Sequence, residues 1–197
     1  MLLVTTYDSH RYATVNRPDL SHLKRIDRLI PIRPGDRVLE VGCGQGHLTR
    51  ALAEGGVDIT GIDANRQAPE VAGTGLVRHM VAEALFFEDA TFDFIISIHA
   101  IEHIPPLEEA LTEMTRVLKP GGKALFVYPA EPIKGLYAVP TSIILHGNPF
   151  KARQVHCHKL SPSKLRVMVE PMGMTETAHE FSLFKTPQFT SVFEKVG

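Results

Sequence analysis

The sequence Glu40-Val41-Gly42-Cys43-Gly44-Gln45-Gly46 holds an acid followed by three glycines at alternate positions. It ends an apolar run and leads into a helix-like segment, so the glycines are predicted to form a tight turn between a buried strand and a helix. Backbone N–H groups at such a helix start can hold an anionic or polar group of a ligand. Asp63 ends the next apolar run, where a carboxylate can accept both hydroxyls of a ribose. Together these residues predict a nucleoside-binding site, the alternative for Asp63 being a solvated turn or a helix cap.

The spacing of the glycines separates two classes of nucleotide ligand. A dinucleotide fingerprint has the pattern G-x-G-x-x-G or A, whereas this chain has His47 where the last small residue would stand. The last glycine of that fingerprint allows the helix to pack closely against the strand, and this chain lacks it. An acid two residues before the first glycine, Glu40, fits a different nucleoside ligand better. A nicotinamide-dependent oxidoreductase remains the alternative.

Strand and helix patterns alternate around these residues. The sequence predicts helices over 20–30, 47–54, 106–118 and 163–170, with a short or distorted helix within 64–75. It predicts strands over 38–41, 57–62, 76–81, 92–98 and 123–128, then an antiparallel pair over 174–184 and 188–195. This order implies right-handed crossovers. We therefore expect an α/β fold with a doubly wound, mostly parallel seven-stranded sheet and an antiparallel edge hairpin.

The 197 residues fit a single domain, and no linker divides them. We expect an N-terminal arm and helix over 1–35, a cofactor-binding half over 36–130 and a substrate-side half over 131–197. Net charge is −1, which gives the whole chain no electrostatic attraction to nucleic acid or to an anionic membrane. Two distant cysteines, no signal-like start and no long apolar span favour a cytoplasmic protein. The oligomeric state is not predicted.

Six motifs, in order and spacing, resemble those of class I S-adenosylmethionine-dependent methyltransferases of the small methyltransferase type 11 group. They are Val38–Gly46, Gly61–Asp63, Ala82–Phe87, Phe92–Ser97, Ile101–Ile104 and Arg116–Gly122. The resemblance covers roughly residues 34–130. It implies a Rossmann-like methyltransferase fold, S-adenosyl-L-methionine as the cofactor and methyl transfer to an acceptor as the activity.

The resemblance also implies roles for single residues. Glu40 would reach the cofactor's amino group, Asp63 would take the ribose hydroxyls, and Ser97 and His99 would border the methionine chain and the sulfonium. The residues assigned to the cofactor in this way are Glu40, Gly42, Cys43, Gly44, Gly46, Asp63, Ala64, Ala82, Glu83, Ser97 and His99.

One position departs from the family pattern. Members commonly carry an acid just before the position of Ala82, where it accepts the adenine amino group, and this chain has Val81. Either Glu83 substitutes, or backbone and apolar contacts alone hold the adenine. A lost charge-assisted hydrogen bond costs about 1.5–3 kcal/mol, so we expect modest cofactor affinity.

Methyl transfer from a sulfonium is an in-line displacement, for which the protein mainly holds the nucleophile and the methyl group about 3–3.5 Å apart. A hydroxyl acceptor would also benefit from a general base, and His103 is the first candidate because it follows the fourth strand. The alternative is that His103 only covers the start of the next helix. The candidates for contact with the acceptor are Tyr12, His146, Arg153, His156 and His158.

Residues 132–169 contain no acid but six lysines and arginines and three histidines. This pattern favours a small-molecule acceptor that is anionic, such as a carboxylate or a phosphate ester, or else a solvated basic face. An RNA or protein acceptor is a further alternative. The histidines of His156-x-His158 point the same way only on a strand, and no cysteine or carboxylate follows them nearby to complete a ligand set, so the sequence predicts no metal site.

Overall fold

The computed structural model of the chain describes residues 22–183 and 186–197. Tyr12, a predicted acceptor contact, lies outside these residues. Among the described residues no helix is long and apolar enough to span a membrane.

A single seven-stranded sheet organises the fold, with the strand order β3-β2-β1-β4-β5-β7-β6. Strands β1 to β5 run parallel, and β7 lies antiparallel between β5 and β6. The doubly wound α/β sheet with an antiparallel edge hairpin is thus confirmed. The strands are β1 (Arg37–Val41), β2 (Asp58–Asp63), β3 (Val77–His79), β4 (Phe92–Ile98), β5 (Leu118–Pro129), β6 (Met174–Ser182) and β7 (Gln188–Lys195).

Helices cover both faces of the sheet. One apolar cluster joins α4 and α7 to one face, and a second joins α1 and α2 to the other. Because both faces are covered, the central strands are apolar almost throughout. The helices are α1 (Leu23–Leu29), α2 (His47–Glu54), α3 (Ala68–Ala72), α4 (Leu107–Val117), α5 (Val139–His146), α6 (Ala152–Val155) and α7 (Pro162–Val169).

Strand β5 starts five residues earlier than the sequence pattern predicts, because it follows α4 directly at Leu118. The pairing register between β4 and β5 slips after Phe92, which pairs with Leu118, so that Phe94 pairs with Lys123. This irregularity accommodates the segment 119–122, which contains Pro120 and two glycines and lies between the predicted helix over 106–118 and the predicted strand over 123–128. Lys119 Nζ donates to Asp93 Oδ1 at 2.7 Å, which fixes the segment against β4.

Strand β1 lies at the centre of the parallel part of the sheet. Its two neighbours are β2 on one side and β4 on the other, so the connections leaving β1 and β4 diverge to opposite sides. Such a divergence opens a crevice at the carboxyl ends of the strands. The glycine turn, Asp63 and the segment after β4 all lie at that end.

Candidate active site

A cavity of about 380 Å³ occupies the crevice at the carboxyl ends of β1, β2 and β4. The glycine turn and the end of β2 form one side, and the segments after β3 and β4 form the others. His156, from the second half of the chain, reaches the same cavity. The structure therefore brings most of the predicted cofactor residues to one cavity.

The glycine turn is held by backbone hydrogen bonds to β2. The N–H groups of Gly42 and Cys43 donate to Ile62 O at 2.8 and 3.0 Å, and the N–H of Gly44 donates to Asp63 Oδ2 at 2.8 Å. Gly42 has a φ of +77°, and a Cβ there would lie 2.2 Å from Ala100 Cβ. Only glycine therefore allows the turn to pass this close to the segment after β4.

Two residues of the glycine turn, Gly46 and Cys43, pack against neighbouring elements of the fold. Gly46 does not line the cavity: it precedes α2 with a φ of +66°, and a Cβ there would lie 2.6 Å from Val77 Cγ2. Cys43 lines the cavity but is itself buried in a small cluster with Ala68, Ala72 and Val77. These two residues set the distance between the turn and the neighbouring helix and strand.

Asp63 lines the cavity beside Ala64, as the sequence predicts. Its Oδ2 accepts the Gly44 N–H, and its Oδ1 accepts the Asn65 N–H at 2.8 Å. Burial raises the pKa of Asp63 despite these two hydrogen bonds. Since each carboxylate oxygen has two lone pairs, both oxygens retain capacity to accept a further hydroxyl.

Glu40 is buried at the base of the cavity and accepts a hydrogen bond from Thr49 Oγ1. Burial raises the pKa of Glu40 to about 7, with a further contribution from Asp63, while Thr49 opposes the shift. A carboxylate in this state is readily ionised by an approaching cation, because the cation offsets the desolvation of the anion. Glu40 is therefore suited to receive an ammonium group.

The segment after β3 closes another side of the cavity. Val81, Ala82 and Glu83 line it, and Ala82 is buried. This segment is fixed to α4, since Leu85 N donates to Glu113 Oε2 at 2.9 Å. Val81, the apolar residue just before Ala82, therefore lies on the cavity wall near Glu83.

The two predicted cofactor residues near the end of β4, Ser97 and His99, lie in different surroundings. Ser97 is fully buried, donates to Val41 O at 3.0 Å and does not line the cavity, so its expected contact with a methionine chain is not supported. His99 does line the cavity. It has a φ of +52°, unusual for a residue other than glycine, and its Nε2 lies 2.9 Å from Gln188 Oε1.

His99, His103 and His156 form a histidine wall on the side of the cavity away from β2. His103 Nδ1 lies 2.7 Å from the carbonyl oxygen of Val155, so this nitrogen carries the proton and Nε2 carries the lone pair. Burial lowers the pKa of His103, although Glu102 opposes that shift. His103 is therefore a neutral imidazole near neutral pH.

Two buried acids behind the histidine wall were not predicted as site residues. The first is Glu102, whose Oε1 atom lies 3.6 Å from His99 Nδ1 and 3.8 Å from His103 Nε2. Burial would raise the pKa of Glu102, but His103, His99 and His156 together hold it below its usual value.

The second buried acid is Glu131, which accepts hydrogen bonds from two backbone N–H groups, those of Gly135 and Tyr137, and from His156 Nδ1 at 2.7 Å. Glu102 adjoins His103 in sequence, which was a usable signal, whereas no local pattern marks Glu131.

Three predicted acceptor residues lie away from the cavity. His158 Nε2 lies 2.8 Å from Ile104 O, so His158 fixes the chain after the histidine wall. Arg153 is exposed on α6, and His146 ends α5. Of the predicted acceptor residues in the described part of the chain, His156 alone lines the cavity.

Comparison with known proteins gives concordant matches. A family model described as a methyltransferase domain matches residues 7–179. Ubiquinone biosynthesis O-methyltransferase of Idiomarina loihiensis is 30% identical over 155 residues, covering 73% of this chain and 63% of the relative. Phosphoethanolamine N-methyltransferase 2 of Caenorhabditis elegans is 36% identical over 114 residues, covering 53% of this chain and 26% of the relative. The chain thus spans less than two thirds of the length of these relatives.

A solved structure shares the fold. Phosphoethanolamine N-methyltransferase 2 of Haemonchus contortus, in complex with S-adenosyl-L-methionine, superposes with a TM-score of 0.75. The match covers 99% of this chain and 61% of that chain at 16% sequence identity. At this identity the likeness concerns the fold alone.

Proposed function

The chain belongs to the class I S-adenosylmethionine-dependent methyltransferases, and from this premise we propose that it transfers the cofactor's methyl group to a small-molecule acceptor. The observation that carries the proposal is the continuity of one cavity from the glycine turn to the histidine wall. The first end suits a nucleoside with an amino acid chain, and the second offers imidazole groups to an acceptor. The division into a cofactor-binding half over 36–130 and a substrate-side half over 131–197 is proposed in a modified form: 131–197 contributes Thr141 and His156 to the acceptor end, while His99 and His103 come from 36–130.

At the cofactor end, the proposal assigns one group of the ligand to each polar side chain. Asp63 accepts the ribose hydroxyls, Glu40 pairs with the ammonium group, and Ala82 with Val81 and Glu83 borders the adenine. The backbone of the glycine turn passes beside the methionine part because Gly42 and Gly44 carry no side chain. The cofactor supplies an electrophilic methyl group on a sulfonium, and these residues fix its orientation.

At the acceptor end, the wall combines the imidazole groups with Ile98, Ile104, Pro105 and Thr141. This mixture suits an acceptor with an apolar body and a hydroxyl group. The lone pair on His103 Nε2 can take the hydroxyl proton, which makes the acceptor oxygen nucleophilic. The role is that of a general base, as the sequence predicts.

We further propose that the small-molecule acceptor is anionic. Three of the cations in 132–169 bind groups of the protein itself: Lys159 Nζ donates to Pro132 O, Lys164 Nζ donates to Lys159 O, and Arg166 pairs with Glu176. Lys134 and Arg153 are exposed and could attract an anion toward the cavity. If so, the double variant Lys134→Ala/Arg153→Ala raises the acceptor's KM at low salt, whereas an unchanged KM would remove the anionic form.

The test of methyl transfer is a screen for release of S-adenosylhomocysteine. The chain is incubated with S-adenosylmethionine and separate sets of phenols, aliphatic alcohols, carboxylic acids and amines. We expect release with hydroxyl acceptors in the wild type and its loss in Asp63→Ala. Release with none of the sets, despite cofactor binding, would contradict the proposal, and transfer to bulk RNA with a steep salt dependence would favour the RNA alternative.

A further inference from the structure

Glu102, His103 and His156 each offer one ligand atom, and these three atoms lie within 4.8 Å of one another. We propose that these side chains bind a divalent transition metal ion at the acceptor end of the cavity. The inference rests on the proposed function for its role in the reaction, but the binding site itself does not depend on it. The sequence predicted no metal site on the basis of the pair His156-x-His158 alone. The structure instead brings His156 together with Glu102 and His103.

The two histidines are oriented as metal ligands are. His103 Nδ1 donates to Val155 O and His156 Nδ1 donates to Glu131 Oε1, both at 2.7 Å. Each bond fixes the tautomer, so Nε2 carries the lone pair in both rings. Histidine ligands in metal sites commonly donate their other N–H to a backbone carbonyl or a carboxylate in this way.

Glu102 adds an independent observation. It is 1% exposed, and among the described residues its Oε2 has no hydrogen-bond partner. Its Oε1 lies 3.6 and 3.8 Å from ring nitrogens of His99 and His103, both beyond the 2.7–3.2 Å usual for a hydrogen bond. A buried carboxylate oxygen costs free energy unless a hydrogen bond or a cation compensates its desolvation, and Oε2 has no hydrogen bond. A cation bound between Glu102 and the two rings would supply the compensation.

The donor set indicates the kind of ion. Two imidazoles and one carboxylate suit Zn²⁺, Fe²⁺, Co²⁺ or Mn²⁺ and disfavour Mg²⁺ and Ca²⁺, which prefer oxygen ligands. Three protein ligands leave at least one coordination position for water or substrate. Since His103 and His156 line the cavity, that position faces the acceptor end.

The bound ion changes how the acceptor is activated. A hydroxyl that coordinates the ion loses its proton more readily, and the proton passes to solvent. The resulting oxygen anion attacks the methyl carbon, the new O–C bond forms as the C–S bond breaks, and S-adenosylhomocysteine leaves with the electron pair. No oxidation or reduction takes place. His103 is then a ligand, and the ion replaces it as the group that activates the hydroxyl.

The test is metal binding by the full chain after dialysis against a chelator. Isothermal titration with Zn²⁺, and absorption spectra with Co²⁺, should show a single site in the wild type. Glu102→Gln and His156→Gln should each weaken binding by about 100-fold or more, because each removes a ligand. Glu131→Gln should weaken it by about 10–100-fold, because Glu131 positions His156. His179→Gln, on the exposed side of β6, is the matched control and should bind as the wild type does.

Binding of S-adenosylhomocysteine by each variant separates the two proposals. Variants that bind the nucleoside normally but lose the metal support the site and show that the chain is folded. No metal binding by a wild type that binds the nucleoside would overturn the metal site and leave the proposed function intact. Equal Zn²⁺ binding by the wild type and the double variant Glu102→Gln/His156→Gln would also overturn it. Metal binding without nucleoside binding would instead count against the proposed function.

Discussion

Glu40 links cofactor binding to pH at the scale of a single residue. Its pKa of about 7 in the unliganded chain means that it is largely protonated at pH 5.5 and largely ionised at pH 8. The cofactor's ammonium group favours the ionised form and lowers this pKa on binding. Binding below pH 7 must therefore release a proton, and affinity must rise with pH.

We expect the affinity for S-adenosylhomocysteine to increase about tenfold between pH 5.5 and pH 8. Glu40→Gln should bind more weakly at pH 8 and should flatten the dependence, because the amide does not titrate. Calorimetry across this range measures both effects. A wild-type dependence that persists unchanged in Glu40→Gln would assign the titration to another group.

Alanine substitutions at Gly42 and Gly73 test whether close packing at the glycine turn contributes to stability. Both have positive φ, +77° and +63°, but an added Cβ would meet Ala100 Cβ at 2.2 Å from Gly42 and nothing within 4 Å from Gly73. Gly42→Ala should therefore lower the free energy of unfolding by about 1–3 kcal/mol more than Gly73→Ala. Urea denaturation measures the difference. Equal losses would mean that the segment after β4 can move aside.

The residues of the site were predictable to different degrees. Glu40 and Asp63 both line the cavity, and the sequence could point to them because each lies at or near the end of a strand with a clear apolar pattern. Ser97 does not line the cavity, and the sequence could not show this because a motif gives the position along a strand but not which side chains face the crevice. The approach of His103 to His156 spans 53 residues and depends on how the chain after β5 returns, which no local pattern encodes.

Among the elements, α4 fixes the segment that borders the cofactor end. Arg116 Nη2 donates to Leu85 O at 3.0 Å and Nη1 donates to Phe87 O at 2.9 Å, while Nε binds Glu113. A guanidinium can make these bonds together because its donors point in several fixed directions. Glu113 in turn accepts Leu85 N. Helix α4 and the segment after β3 therefore form one unit.

Arg116→Lys should lower the free energy of unfolding by about 1–3 kcal/mol, because one ammonium group cannot replace the separate bonds. It should also weaken S-adenosylhomocysteine binding, since Ala82 and Glu83 belong to the same segment. Arg28→Lys is the control: Arg28 pairs with Glu180 on the exposed surface, and we expect no measurable change. Thermal denaturation and calorimetry of both variants check this. Similar effects of the two substitutions would contradict the proposed anchoring.

The elements themselves were largely predictable from periodicity. The pattern gave α2 and β4 with the observed bounds, since each has distinct flanking residues. It missed the early start of β5, because Pro120 and two glycines normally end a helix rather than continue a strand. It also gave no helices between 131 and 161, where α5 and α6 are short and α5 is apolar over much of its surface.

At the scale of the whole molecule, the order of the strands determines where the site lies. Placing β1 between β2 and β4 brings the glycine turn, Asp63 and the histidine wall to one crevice. The crossover rules allow this order to be expected from alternating strands and helices. The contribution of 131–197 to the crevice follows instead from long-range packing, and it supplies His156.

The most direct test of the account is calorimetric titration of the chain with S-adenosylhomocysteine and, separately, with NAD, using the wild type and Asp63→Ala. We predict a single site for S-adenosylhomocysteine in the wild type, a large loss of affinity in Asp63→Ala and no binding of NAD. Binding of NAD with no response to S-adenosylhomocysteine would contradict the account.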